Sequence, residues 1–163
     1  MGDQPPDLIR AMQDPGFYPH SVETVELRET HISWVFLTGD TVYKISKPVE
    51  MGFLDFSTLD KRAHYCRREV ELNQRLTTGI YLDAVPITRE KDGYALDGAG
   101  EIVETAVRMR QLDESDAMDR RLRDGRLNAA SIDRLAATLA RFYDHAASGP
   151  GIDRFGECGV IKK

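Results

Sequence analysis

The stretch Thr41-Val42-Tyr43-Lys44-Ile45-Ser46-Lys47 decides the fold, because it places a lysine in the middle of a run typical of a β-strand. Side chains alternate between the two faces of a strand, so Val42 and Lys44 share one face. A charged ammonium on an otherwise apolar sheet face needs an anionic partner, because an unpaired buried charge is very costly. The alternative is that Lys44 lies at a sheet edge and points into water, as most lysines do.

A predicted helix after this strand offers that partner. The sequence predicts an N-cap at Ser57 and a helix that continues to about residue 76. An apolar stripe runs along this helix through Tyr65, Leu72 and Leu76. Glu69 lies on the stripe by helical periodicity, whereas Glu71 faces elsewhere. We therefore predict that Glu69, and not Glu71, pairs with Lys44.

Short β-rich runs on both sides of the helix predict an antiparallel sheet. Residues 22–28, 32–37 and 41–47 form a meander, with tight links between the runs. Residues 84–88 and the short arm 94–96 are joined by a hairpin turn at Asp92-Gly93. Residues 101–110 alternate, with Val103, Thr105, Val107 and Met109 on one face and Glu104 and Arg108 on the other. We predict an α+β fold, in which a five-stranded sheet carries one crossing helix after its third strand.

The character of the chain changes near residue 110, which predicts a sheet-containing domain over 1–110 and a helical part over 111–163. Residues 113–122 and 128–147 are predicted to be helical. The second helix carries apolar side chains at helical spacing: Ile132, Leu135, Ala136, Leu139 and Tyr143. Little chain follows to cover this stripe, so we expect self-association through an exposed helical face.

Composition narrows the classes of partner. The chain has 163 residues, 41% of them hydrophobic and 30% charged, which suits a globular fold. Its net charge of −5 gives no support for binding nucleic acid or an anionic membrane. No apolar run approaches the ~20 residues that span a bilayer, and the N-terminus lacks the pattern of a signal peptide, so we expect a cytoplasmic protein. Cys66 and Cys158 are expected to be free thiols, and no metal-binding motif is present.

Several blocks of this sequence together resemble one known family. They are Glu-Thr-His-Ile-Ser-Trp-Val-Phe-Leu at 29–37, Val-Tyr-Lys-Ile-Ser-Lys at 42–47, Gly-Phe-Leu-Asp-Phe-Ser-Thr-Leu at 52–59, Arg-Arg-Glu-Val-Glu-Leu-Asn-Gln-Arg-Leu at 67–76, and Val-Arg-Met-Arg-Gln-Leu at 107–112. Their order is similar to the small lobe of protein-kinase-like folds. More narrowly, it resembles the bacterial aminoglycoside phosphotransferase-like family over roughly residues 20 to 145.

The resemblance implies a nucleotide site that binds ATP. Lys44 would bind phosphate, Glu69 would anchor Lys44, and the turn at 30–33 would lie over the phosphates. Residues 109–112, including Met109, Arg110 and Leu112, would form a hinge that hydrogen-bonds adenine through its backbone. Val42 would be part of the adenine ceiling. Ser33 could donate a hydroxyl bond or serve only as a turn or strand residue.

The sequence departs from the family where catalysis is expected. None of the four histidines begins a His-Gly-Asp or His-Arg-Asp loop, so we assign no catalytic residue to this chain. Asp153-Arg154-Phe155-Gly156 only superficially resembles the Mg²⁺-binding Asp-Phe-Gly. We expect the N-terminal piece of a longer enzyme that phosphorylates a small-molecule hydroxyl and binds Mg²⁺ only with the missing C-terminal part. The alternative is a non-catalytic kinase-like module for partner binding or nucleotide sensing.

Overall fold

The computed structural model describes residues 7–156 and 159. The chain divides into two compact units, Met1–Asp113 and Glu114–Lys163. The first unit is an α+β domain, whereas the described elements of the second unit are helical. Among the described residues, no helix combines the length and the apolar character that crossing a membrane requires.

The first unit is built on a six-stranded antiparallel sheet. Its strands in chain order are β1 (Glu26–Glu29), β2 (Ser33–Leu37), β3 (Thr41–Ser46), β4 (Tyr81–Glu90), β5 (Gly93–Leu96) and β6 (Glu101–Arg110). Their order across the sheet is β1-β2-β3-β6-β4-β5. The prediction of five strands was wrong. The short arm after the hairpin turn at Asp92-Gly93 pairs fully with β4, and it therefore forms a sixth strand, β5, at the sheet edge.

Strand β6 lies at the centre of the sheet, between β3 and β4. Residues 103–107 are therefore all buried, and Glu104 has no exposed surface. The predicted alternation had placed Glu104 on a separate polar face of this strand. Periodicity misses this case because a central strand that is covered on both faces shows no alternation in burial.

The two faces of the sheet carry different cores. On one face, α1 (Leu8–Ala11) and the following turn pack against the sheet. That core contains the buried residues Leu8, Met12, Tyr18, Phe36, Tyr43, Ile45, Val85, Ile87, Val103 and Ala106. On the other face, α2 (Leu59–Gln74) packs on β6 through Cys66, Val70 and Val107. Tyr43 and Ile45 lie in the first core, so Lys44 is directed to the face that α2 covers.

Helix α2 begins one residue later than predicted. Its N-cap is Thr58, whose side chain accepts a hydrogen bond from the Lys61 N–H. Ser57, the predicted N-cap, instead donates both its N–H and its hydroxyl to the Asp55 carboxylate. The side chain of Ser57 is thus engaged with the preceding loop and does not cap the helix.

The second unit contains α3 (Met118–Arg123), α4 (Ala129–Asp144) and α5 (Pro150–Asp153). Asn128 caps α4 by accepting a hydrogen bond from the Ser131 N–H. The predicted stripe on α4 is exposed: Ile132, Leu135, Leu139 and Tyr143 have between 38% and 71% of their surface accessible. Cys66 is a free cysteine, as predicted, and it is buried. Cys158 lies outside the described residues.

Candidate functional site

Lys44 and Glu69 form an ion pair between the sheet and α2. The Lys44 Nζ atom lies 2.8 Å from both carboxylate oxygens of Glu69, so the contact is bidentate. The two side chains are 26% and 25% exposed, which leaves each of them partly open to solvent. Glu71 pairs instead with Arg68 on the outer surface of the helix. The predicted choice of Glu69 over Glu71 is confirmed.

The stripe that led to this choice is not the face that α2 buries. Tyr65, Leu72 and Leu76 are all more than 40% exposed. The buried side chains of the helix are Arg62, Cys66 and Val70, which are spaced four residues apart. Glu69 follows Cys66 by three residues, so it lies beside the buried face and can reach the sheet. The conclusion from periodicity was right, but its reason was wrong.

A buried ion pair fixes α2 against β6. The Nε atom of Arg62 lies 2.8 Å from Oε2 of Glu104, and both side chains are fully buried. Arg62 also donates to the backbone carbonyl of Phe56, at 3.0 Å. Glu69 lies two helical turns after Arg62, so this anchor helps to fix where the Glu69 carboxylate stands relative to β3.

Cys66 and Tyr81 show that the surroundings of the Lys44–Glu69 pair are partly desolvated. The Cys66 Sγ atom contacts the Thr105 carbonyl at 3.3 Å. Burial raises the pKa of the Cys66 thiol to about 12, and the carboxylates of Glu104 and Glu69 add to this effect. Burial also raises the pKa of Tyr81, with a further contribution from Glu69 that Lys44 opposes. The pair therefore lies in a partly desolvated region, with the thiol kept protonated.

An open cleft of about 670 Å³ lies over this face of the sheet, with Lys44 among its walls. Its lining comprises Thr30, His31, Ile32, Ser33, Val35, Lys44, Met51, Phe53 and Leu54. Ser33 is 2% exposed, and its hydroxyl makes no hydrogen bond to another described residue. The cleft thus brings one ammonium and one unengaged hydroxyl together, and both groups can donate to an anion.

The turn at 30–33 is closed by its own side chain. The Thr30 hydroxyl oxygen accepts hydrogen bonds from the N–H groups of Ile32, at 3.3 Å, and Ser33, at 2.9 Å. These two amides are consequently not free to bind a phosphate, although the turn does line the cleft as predicted. Within this turn, the Ser33 hydroxyl remains available to an anion near Lys44, whereas the main-chain amides of Ile32 and Ser33 are engaged.

The structure brings only some of the predicted adenine-site residues together. Val42 and Met109 are directly paired across β3 and β6, and Val42 shares the sheet face of Lys44. Arg110 pairs with Thr41 and alternates to the opposite face. Leu112 follows the strand with 59% of its surface exposed. Val42 and Met109 therefore form an apolar surface beside Lys44, which we call the apolar floor. The Arg110 side chain is not part of this surface.

The backbone of the predicted hinge is partly engaged. The Arg110 N–H donates to the Ile80 carbonyl and the Gln111 N–H donates to the Asp40 carbonyl, each at 2.8 Å. Leu112 makes no hydrogen bond within the described part of the chain. Of these three amides, only that of Leu112 is open to a ligand.

Sequence reasoning missed two features of the site. The burial of Arg62 was not predicted, because the buried face of a helix is normally recognised by its apolar residues. The helical spacing of Arg62 to Cys66 and Val70 is the signal that could have identified it. The apolar segment that contains Met51 and Phe53 was given no role in a site, although residues 52–59 form one of the blocks that carry the resemblance.

Comparison with known proteins identifies similar proteins, but their names state no activity. The chain is 33% identical over 139 residues to uncharacterized protein Rv2004c of Mycobacterium tuberculosis (strain H37Rv) and, equally, to uncharacterized protein Mb2027c of Mycobacterium bovis. The matched region is 85% of this chain but only 26% of each relative, so the chain spans about a quarter of their length. No family model and no solved structure matches the chain.

Proposed function

We propose that this chain is the ATP-binding portion of a small-molecule kinase of the aminoglycoside phosphotransferase-like type. The observation that supports this most is the bidentate Lys44–Glu69 pair, which lies beside a cleft large enough for a ligand. A carboxylate that holds a lysine in place through two hydrogen bonds leaves the third ammonium hydrogen available to a nucleotide phosphate. The α+β sheet with its one crossing helix is compatible with a kinase-like small lobe.

The proposal assigns a role to each residue of the site. Lys44 binds the phosphates, Glu69 orients Lys44, and the Ser33 hydroxyl donates to a phosphate oxygen. The apolar floor of Val42 and Met109 is suited to the flat face of adenine. Hydrogen bonds to the adenine edge would come from the Leu112 N–H and from backbone carbonyls, because the amides of Arg110 and Gln111 are engaged.

The reaction itself requires groups that we do not assign to this chain. In the transfer, a bond forms between the acceptor hydroxyl oxygen and the γ-phosphorus, the bond to the departing ADP oxygen breaks, and the hydroxyl proton passes to a base. Mg²⁺ would neutralise charge on the phosphates when bound. The described residues hold no group of three or more His, Cys, Asp or Glu side chains arranged around a metal. We place the base and the metal ligands in another part of the longer protein.

One observation favours the alternative, a non-catalytic kinase-like module that senses nucleotide or binds a partner. The Ile32 and Ser33 amides of the 30–33 turn donate to the Thr30 hydroxyl. Fewer main-chain N–H groups are therefore available to the phosphates than ATP-binding sites of active enzymes normally use. The nucleotide-sensing form of this alternative shares the nucleotide site with the kinase and differs from it in turnover by the full-length protein.

Calorimetric titration with ATP tests the shared step. We expect Lys44→Ala to weaken binding by about tenfold to a hundredfold, the range for losing a hydrogen bond to a charged group. Glu69→Gln should weaken binding less, because the ammonium remains. Matched controls are Glu71→Gln on the same helix and Lys91→Ala in the exposed β4–β5 turn. Equal ATP affinity of Lys44→Ala and the unaltered chain would refute the proposal.

A further inference from the structure

A short hairpin forms one wall of the cleft. Residues 49–56 fold back on themselves through an antiparallel bridge between Glu50 and Asp55. The Met51 N–H donates to the Leu54 carbonyl at 2.8 Å, which closes the tip. Gly52 occupies the tip with φ at +76°, a conformation that side chains other than glycine rarely adopt. We call this segment the 49–56 hairpin.

The base of the 49–56 hairpin is attached to α2. The Asp55 carboxylate accepts hydrogen bonds from Ser57 and from the Lys61 ammonium. Arg62, which is fully buried, donates to the Phe56 carbonyl. These contacts hold the base, so the apolar tip is presented by a hydrogen-bonded element.

The tip exposes apolar side chains beside the cleft. Phe53 is 88% exposed, the largest exposed fraction among the large hydrophobic side chains described, and Met51 is 45% exposed. Both side chains line the cleft together with Lys44. An aromatic ring with its surface open at the mouth of a cleft is a ready contact for an apolar or aromatic ligand group.

The position of the 49–56 hairpin distinguishes it from the predicted adenine floor. Along β3, Val42 lies on one side of Lys44, and Ser46 lies on the other side, where the chain continues into the hairpin. A phosphate at Lys44 would therefore have the Val42–Met109 floor on one side and Phe53 on the other. If the nucleotide base occupies the floor, the Phe53 side is left for the other substrate, the acceptor.

The charge of the lining limits the kind of acceptor. Among the described residues that line the cleft, none is acidic, and the ionisable ones are Lys44 and His31. A polycationic aminosugar would find no carboxylate among these lining residues to balance its charges. The five apolar lining residues (Ile32, Val35, Met51, Phe53 and Leu54) favour an uncharged, apolar group.

We propose that the Phe53 side of the cleft binds the apolar or aromatic part of the phosphoryl acceptor, so that the acceptor is an apolar or aromatic hydroxyl compound rather than an aminoglycoside. This inference rests on the proposed function, because it requires a phosphate at Lys44. It adds a substrate class and a residue, Phe53, that selects it.

Two phosphate esters that differ only in the attached group test the inference. Methyl phosphate and phenyl phosphate are titrated separately into the isotope-labelled 163-residue chain, and dissociation constants are measured by NMR. We expect the chain to bind phenyl phosphate about two- to tenfold more tightly, the range for one aromatic contact. Phe53→Ala should remove this preference and leave methyl phosphate unchanged, and its high exposure spares the fold. Leu82→Ala, at another exposed apolar residue, is the matched control.

The outcomes separate this inference from the proposed function. Equal affinity for the two esters, or a preference that survives Phe53→Ala, would overturn the inference while leaving phosphate binding intact. Failure of both esters to perturb the cleft would overturn the inference and the proposed function together. Kanamycin that shifts the Phe53 and Lys44 resonances and competes with phenyl phosphate would also contradict it, because the acceptor site would then accept a polycation.

Discussion

Replacing Arg62 with methionine should destabilise the first unit more than any surface change on α2. Arg62 and Glu104 are both fully buried, and their Nε–Oε2 distance is 2.8 Å. Arg62→Met leaves a buried carboxylate without the guanidinium that faces it, which typically costs about 3–5 kcal/mol. Domains of this kind are stable by about 5–15 kcal/mol in total, so the loss is a large fraction of that stability.

The double variant Arg62→Met/Glu104→Leu should behave very differently. Removing both charges together abolishes their desolvation cost, so the double variant should recover most of the loss. The remaining cost comes from the hydrogen bonds that Arg62 makes to the Phe56 carbonyl and that Glu104 accepts from the Thr105 N–H. The free energy of unfolding can be measured by urea titration with the fluorescence of Trp34. Trp34 is the single tryptophan of the chain and packs on the core of the first unit, so it reports on that unit. At a typical urea dependence, the single variant should shift the midpoint by about 2 M.

A matched control lies on the same helix. Arg68 and Glu71 form an exposed ion pair, with side chains 45% and 64% accessible. The corresponding Arg68→Met/Glu71→Leu variant and its single changes should each alter stability by less than about 1 kcal/mol. If Arg62→Met costs no more than Arg68→Met, or if the double variant is as unstable as the single one, the argument from the buried pair is wrong.

Three further predictions concern separate parts of the chain. The pKa of Asp55 is lowered to about 2, chiefly by the Lys61 hydrogen bond, so its stabilising contribution is present above the ordinary value of 3.8 and is lost as the pH falls through about 2. Urea midpoints of Asp55→Asn should lack this acid-dependent loss. The Cys66 thiol, with its pKa raised to about 12, should react with iodoacetamide far more slowly in the folded chain than after denaturation, as measured by peptide mass spectrometry. Leu135→Lys on the exposed stripe of α4 should reduce self-association in sedimentation experiments at micromolar concentration, whereas Ala137→Lys on another face should not.

Local pattern was sufficient to predict most strands of the sheet. The apolar, branched residues of β2 and β3 and the tight turn between them determine a hairpin with little help from distant residues. The number of strands was underestimated because β5 has only four residues and forms a strand only by pairing with β4. Pairing of this kind is a tertiary property, which a run of three or four residues does not reveal by itself.

The candidate site shows a different limit of sequence reasoning. Lys44 could be identified from its position on a strand. Glu69 was chosen correctly, but from an apolar stripe that the helix does not bury. The buried positions of α2 could not be identified by apolar periodicity, because one of them is an arginine whose charge is balanced by a residue 42 positions away. The exposed tip at Phe53 is likewise determined by hydrogen bonds of the 49–56 hairpin to α2 rather than by its own sequence.

Arg62 connects these elements into one physical unit. Its guanidinium contacts Glu104 on β6 and the Phe56 carbonyl at the base of the 49–56 hairpin. Two turns further along the same helix, Glu69 holds the Lys44 ammonium on β3. The position of the ammonium and the position of the Phe53 ring therefore both depend on how α2 is seated. A buried ion pair is a weak source of stability, but it does specify one seating of a helix, because a shifted register would leave two buried charges unpaired. This is the role we infer for Arg62: it sets the spacing between the Lys44 ammonium and the Phe53 ring, the two groups for which we propose phosphate binding and acceptor binding.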